Sequence, residues 1–213
     1  MIVMSSPRTK SIFINCPYDN AYVPTLRPVL FTVRFLGFTP RLAMESSDSG
    51  GARINKIQKL IKGSRYAIHD LSRLHAERKG EPFRLNMPFE LGLDIGCRVF
   101  GGREQKRKRC LILERVRYSV QKALSDLSNS DVCAHEGKPE KAVLHVRNWL
   151  VQEAHVTAPS PKTIWYAFND FVADLDTKLK VQRFSKTDII TMPLNELLQH
   201  MTRWINGHQS VYG

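Results

Sequence analysis

Five short apolar runs alternate with segments of helical periodicity through the first 150 or so residues, and this alternation restricts the fold more than any other feature of the chain. SIFINC (11–16), FTPRLAM (38–44), YAIHDLS (66–72), CLILER (110–115) and DVCAH (131–135) read as strands. Between and after them, helices are predicted over about 22–36, 52–62, 86 to 96 or 98, 119–127 and 139–152. Gly37 and Gly63 supply stops, Asn86 is the expected N-cap of the third helix, and Pro28 predicts an irregularity in the first. Pro40 argues that the second strand lies at an edge. Strands that alternate with helices imply parallel pairing with both faces covered. The expected class is therefore α/β, a doubly wound, mostly parallel flavodoxin-like sheet over 1–154 with a C-terminal helical extension over 163–213.

After HVTAPSPK (155–162) the pattern becomes helical throughout. Trp165, Phe168, Phe171, Val172 and Leu175 form one apolar stripe and Leu194, Leu197, Leu198, Met201 and Ile205 another. Both are read as core or as an oligomer contact.

The formal charge of +12 attracts polyanions, nucleotides or acidic partners. Its densest run, REQKRKR (103–109), lacks interleaved aromatics and helical spacing, and so reads as a solvated loop entering a strand. No helix-turn-helix, zinc-finger or RNP-type pattern is present, which places nucleic acid last among the partners. Cys16, Cys97, Cys110 and Cys133 are widely spaced and read as reduced structural thiols, and the seven histidines match no metal-ligand pattern. No metal is expected. With no twenty-residue apolar span and no secretory leader in MIVMSSPRTK, a cytoplasmic location away from the membrane is expected.

Functional groups in such a sheet collect at the carboxyl ends of the strands. CPYDN, ESSDSGG, HDLS and NMPFE should therefore share one rim. Glu90 lies one turn into the third helix, where the macrodipole and free N–H groups favour a negative charge. Asp94 follows at i+4, and both carboxylates are expected to look along the rim, with Met87, Leu91 and Ile95 on the opposite stripe.

IFINCPYDN, then SRYAIHDLSR, then a polar loop and NMPFELGLDIG, resembles the nucleoside 2-deoxyribosyltransferase and TIR-like superfamily over about residues 11–115. The sequence has N-x-P-x-E at 86–90 instead of the W-C-x-x-E of eukaryotic TIR domains, which leans toward the deoxyribosyltransferase side or an intermediate bacterial group. The resemblance implies that Glu90 acts on the N-glycosidic bond, as nucleophile or as stabiliser of an oxocarbenium-like sugar. It implies that Asp70 helps hold the base or sugar, with an ordinary strand-end cap as the alternative. Asn15, Pro17 and Tyr18 match the first loop, where the ring would stack on a base or ribose, or simply pack. Asp48, Ser49, Gly50 and Gly51 fall in the loop before the second helix, and Arg53 at that helix start would meet a phosphate or a surface carboxylate. Asn86 and Asp94 complete the expected substrate contacts.

The implied activity is N-glycosidic cleavage of a nucleotide-like molecule, with NAD as substrate rather than cofactor, and no cofactor is needed. Members of this kind serve as bacterial anti-phage effectors, and the tail is the expected contact for self-association or an activating partner. The alternatives are a nucleoside or nucleotide deoxyribosyltransferase or hydrolase, and a non-catalytic nucleotide-signal binding module.

Overall fold

The computed structural model describes residues 7–45, 50–74 and 85–212. Its centre is an all-parallel five-stranded sheet made of Ser11–Asn15 (β1), Thr39–Arg41 (β2), Tyr66–Asp70 (β3), Arg109–Glu114 (β4) and Val132–Ala134 (β5). The order is β2-β1-β3-β4-β5. Val23–Phe35 (α1), Arg53–Gly63 (α2), Asn86–Phe100 (α3), Ser119–Ala123 (α4) and Pro139–Ala154 (α5) follow the five strands in turn. The expected doubly wound α/β class is what the chain adopts.

Period-two alternation distributes the strand side chains between two helical layers. Ile12 and Ile14 of β1, Tyr66 and Ile68 of β3, and Leu111 and Leu113 of β4 join the core formed with α1 and α5. Phe13, Ala67 and Cys110 point the other way, to Ile57, Leu60 and Ile61 of α2. Ile112 meets Met87 and Leu91 of α3 and Val120 of α4 on that second side.

Pro40 sits in the edge strand, where a missing N–H costs the ladder little. β2 is shorter than the 38–44 run predicted. The chain turns after Arg41 because the Glu45 carboxylate accepts the Leu42 N–H at 2.7 Å and pairs with the Arg41 guanidinium at 2.9 Å. α1 runs unbroken through Pro28. The absent N–H would have met a carbonyl in the first turn, so only one bond is lost. Gly37 ends the helix with φ of +79°, and the following Phe38 N–H returns to the Val33 carbonyl. Asn86 is the first helical residue of α3 rather than its cap; Leu85 holds the cap position with no side-chain bond to the helix.

Three further helices, Pro161–Val181 (α6), Lys186–Ile190 (α7) and Leu194–Tyr212 (α8), complete the chain. Phe31 of α1, with no exposed surface, meets the rings of Phe168, Phe171 and Trp204 at centroid distances of 5.6, 5.4 and 5.8 Å. Phe168, Phe171, Leu175, Leu197, Leu198, Met201 and Ile205 are buried in the same core as α1 and α5. The two predicted stripes are therefore internal packing. Val172 departs from its stripe and is 41% exposed, because one residue past Phe171 is about 100° further round a helix. No described helix is long and apolar enough to cross a membrane.

Candidate active site

The switch in strand order lies between β1 and β3, and the groups at their carboxyl ends divide by the same alternation that sorts the core. Asn15 and His69 face the α2 and α3 layer, whereas Cys16 and Asp70 face α1. Two buried polar networks result, one on each side.

On the α3 side, Asn15 Nδ2 donates to the Met87 carbonyl at 2.8 Å and stands 3.0 Å from His69 Nδ1. An amide nitrogen that donates to a carbonyl has its second proton for the imidazole, so Nδ1 accepts and the ring proton resides on Nε2. Nε2–H then donates to Asp94 Oδ2 at 3.2 Å. The other Asp94 oxygen lies 3.0 Å from the Lys108 ammonium, which also donates to the Ile61 and Ser64 carbonyls at 2.8 and 2.7 Å. Burial alone would raise the Asp94 pKa, but the His69 bond and the Lys108 charge outweigh it and hold the carboxyl below its ordinary value. Asp94 therefore points into the fold against β3, not along the rim, and Asn15 fastens the end of β1 to the start of α3.

On the α1 side, Asp70 is 1% exposed and receives the Tyr22 hydroxyl at 2.6 Å, the Ser72 N–H at 2.9 Å and the Ser72 hydroxyl. His135, just beyond β5, places Nε2 3.2 Å from Asp70 Oδ2 and 2.8 Å from Ser72 Oγ. Its Nδ1 accepts the Gly137 N–H at 3.1 Å, which leaves the ring proton on Nε2. His135 Nε2–H is thus a donor shared between Ser72 Oγ and Asp70, and the serine proton goes to Asp70; this is not the nucleophile and base of a serine hydrolase. Burial raises the Asp70 pKa, yet the bonds from His135, Ser72 and Tyr22 together bring it below the ordinary value. The carboxylate caps the loop after β3 and joins it to α1 and β5.

Glu90 is different. It is 4% exposed, and among the described residues no hydrogen bond or ion pair reaches its carboxylate. Burial pushes its pKa up, and the positive charge of Arg53 only partly opposes this. Arg53 is the first residue of α2, is exposed, and also acts on the Tyr18 phenol. Glu90, Tyr18 and Arg53 therefore lie within electrostatic reach of one another. Tyr18 is partly buried and donates weakly to the Ile14 carbonyl at 3.4 Å. Pro17 is buried beside it. Cys16 is 2% exposed, and burial together with Asp70, Glu90 and Asp19 raises its pKa, so it remains a protonated thiol. Asp70 and Glu90 thus both lie within electrostatic reach of Cys16.

Gly50 is an exposed bend ahead of α2, and Asn86 is exposed at the start of α3. Asp48 and Ser49 lie outside the described residues. The residues not anticipated as site members are Tyr22, Ser72, Arg73, Arg115 and His135. Ser72, Arg73, Arg115 and His135 follow the carboxyl ends of β3, β4 and β5, so the strand-end rule applied to DVCAH and CLILER could have found them. Arg73 pairs with Asp19 at 3.0 Å across the crevice. Among the described residues no group of three or more His, Cys, Asp or Glu side chains is arranged to hold a metal ion. No family model, no curated protein and no solved structure matches the chain.

Proposed function

We propose that the protein cleaves an N-glycosidic bond in a nucleotide-like molecule, with NAD as the favoured substrate. The observation that carries the reading is the contrast between Glu90 and its two neighbours. Asp70 and Asp94 each have hydrogen-bond or ion-pair partners, while Glu90, also largely buried, has none among the described residues. Such a carboxylate is costly in the resting protein and gains most when positive charge develops beside it. Departure of the base does this: the C1′–N bond breaks, its electron pair leaves with the base, and the ribose becomes oxocarbenium-like. For NAD, the nicotinamide leaves neutral, and water then adds to C1′ with loss of a proton. Glu90 either stabilises the cation or captures C1′ before water displaces it. The net charge of +12 suits a pyrophosphate-bearing substrate better than a neutral nucleoside. A deoxyribosyl transfer differs only in which acceptor takes the sugar.

The test is incubation of concentrated wild type and Glu90→Gln with NAD, nucleosides and nucleotides, with released base identified by chromatography. Release by the wild type alone is expected. Release that persists in the variant removes Glu90 from this role.

A second reading, a nucleotide-signal binding module, is favoured by Tyr22. Its hydroxyl holds Asp70 at 2.6 Å, and it stands at the head of α1, which packs on α5, α6 and α8. Occupancy at the strand tips would be felt by the C-terminal helices. Ligand bound without turnover, at an affinity unchanged in Glu90→Gln, would select this reading.

A further inference from the structure

Because every strand runs the same way, the segments that enter β1, β3 and β4 meet at one end of the sheet, opposite the crevice. The short turn Pro7–Lys10 precedes β1, Ser64 and Arg65 precede β3, and the run 103–109 leads into β4. Their backbones are joined: the Arg65 N–H donates to the Arg8 carbonyl and the Arg109 N–H to the Arg65 carbonyl, each at 3.3 Å. α2 and α3 also end here, at Gly63 and Phe100. We infer that this end of the sheet is a docking surface for single-stranded nucleic acid. The inference is independent of the N-glycosidase reading, and a strand bound here leaves the crevice at the carboxyl ends open.

The first observation is charge. An open cleft of about 450 Å³ is lined by Arg8, Lys59, Lys62, Gly63, Glu104 and Gln105. Its one carboxylate is already engaged, since Glu104 accepts from Arg8 at 2.8 Å and lies 3.9 Å from Arg107. Arg109 is likewise paired, with Glu153 at 3.1 Å. In contrast, Lys10, Lys59, Lys62, Arg103 and Lys106 are exposed, and no carboxylate among the described residues pairs with them. Asp131 also stands at this end, but ahead of β5 at the far edge of the sheet. Cations brought together in this way from three segments match successive phosphates, whose condensed counterions are released on contact.

The second observation is Phe100, which is 88% exposed. It is the last residue of α3, and the chain folds back directly after it: the Gln105 and Lys106 N–H groups return to the Gly102 carbonyl at 3.0 and 3.1 Å. A Cβ on Gly101 would stand 2.6 Å from Gln105 Cβ, so glycine is what lets the basic turn close against the helix end. Gln105 therefore joins the cleft to the end of α3, and Phe100 borders the cationic surface. The run 103–109 has no aromatic of its own; the preceding helix supplies one. An exposed ring beside such cations gives an unpaired base a stacking partner while the phosphates follow the charges. A duplex keeps its base faces stacked inside and would leave the ring unused. An anionic bilayer would meet the same charges, but Phe100 and Val99 alone give it little apolar area to bury.

The experiment is fluorescence anisotropy of a labelled oligothymidylate of about 20 nucleotides, long enough to span such a site, with the full chain and three variants. Wild type is expected to lose about a hundredfold in affinity between 50 and 200 mM salt, the response of about five phosphate contacts on a single strand. Lys59→Gln/Lys62→Gln/Lys106→Gln should bind at least about tenfold more weakly at the lower salt and flatten that response. Lys162→Gln/Lys178→Gln/Lys186→Gln removes the same charge from α6 and α7 and should change affinity less than about threefold. Phe100→Ala should weaken binding about fivefold or more with the salt response unchanged. All the substituted residues are exposed, and circular dichroism checks that each variant remains folded. Equal losses in the two triple variants would mean that net charge alone attracts the strand, and would overturn the surface. So would no binding by wild type, full affinity in Phe100→Ala, or tighter binding to a duplex of the same length. Cosedimentation with phosphatidylserine vesicles by a protein that ignores the oligonucleotide would overturn it in favour of a bilayer.

Discussion

Replacing Glu90 by glutamine should make the protein more stable while it removes the proposed activity. The side chain is 4% exposed, and no donor among the described residues meets it. A buried polar group left unsatisfied costs about 1–3 kcal/mol, and more if charged. Against this stands Arg53, an exposed residue with no ion pair to Glu90, and an exposed charge of this kind returns about 0.2–1 kcal/mol. The neutral amide keeps the shape and sheds the charge, so the net gain is about 1–2 kcal/mol at neutral pH. For a chain of this size that raises Tm by roughly 2–8 °C. Urea and thermal denaturation of both proteins at pH 7.5 measure it. The pH dependence gives a second check with a definite sign. Burial raises the Glu90 pKa in the folded state, so the folded protein holds this proton more tightly than the unfolded chain does. The resulting stability is fully present below the unfolded value, about pH 4, and is lost as pH rises through the folded pKa. The advantage of the variant should therefore open as pH rises and close on acidification. A variant equally or less stable at pH 7.5, or one whose advantage grows in acid, would refute the claim that Glu90 is held unsatisfied.

Lys108→Met should destabilise by about 3–5 kcal/mol, since it strands the buried Asp94 charge and leaves the Ile61 and Ser64 carbonyls unpaired; urea denaturation tests this, and a loss under about 1 kcal/mol would contradict the pairing. Tyr22→Phe removes one bond to a buried carboxylate, worth roughly 1.5–3 kcal/mol. Because Asp70 is depressed in the folded state, its stabilisation is present above the unfolded carboxyl value and lost as pH falls. Its acid limb should therefore move to higher pH in Tyr22→Phe, as read by stability measured from pH 2 to 7. Phe31→Ala should cost about 3–5 kcal/mol and shift the emission of Trp204, its ring neighbour at 5.8 Å; unchanged emission would argue that α8 does not rest on α1.

The sheet was legible because β1, β3 and β4 are short apolar runs bounded by turn and helix signals, and β2 and β5 fall within the weaker runs that alternate with them. The site was legible only in part, for reasons tied to single residues. Lys108 lies in REQKRKR, where every neighbour suggests solvent, yet it is 1% exposed. Nothing local distinguishes it from Lys106; only the tertiary position of Asp94 does. Asp94 itself was assigned to the rim by its i+4 relation to Glu90. That relation puts both on one broad face, but α3 lies against the sheet, so four residues further along the helix the same face looks at His69 and not at open crevice. His69 and Asp70 are adjacent in sequence, and the strand sends them to opposite layers, which is why HD reads as one motif and works as two networks.

Those two networks explain how an unsatisfied carboxylate can persist between them. The first joins Asn15, His69, Asp94 and Lys108, and so ties β1, β3 and α3 to the end of α2. The second joins Tyr22, Asp70, Ser72 and His135, and so ties α1 and β3 to the end of β5. Each is built on a carboxylate held below its ordinary pKa by donors; these are charges the fold has stabilised and that serve as struts. Glu90 is carried on α3 between Met87, whose carbonyl Asn15 holds, and Asp94, which His69 and Lys108 hold. With the helix fixed one turn to either side, Glu90 cannot relieve its desolvation by moving the backbone. The desolvation it bears is thus sustained by its neighbours, as expected where a group must be ready for a charge that is absent at rest. If Lys108→Met were also to lower the Glu90 pKa and weaken base release without touching the crevice, the dependence of the reactive acid on its strut would be demonstrated.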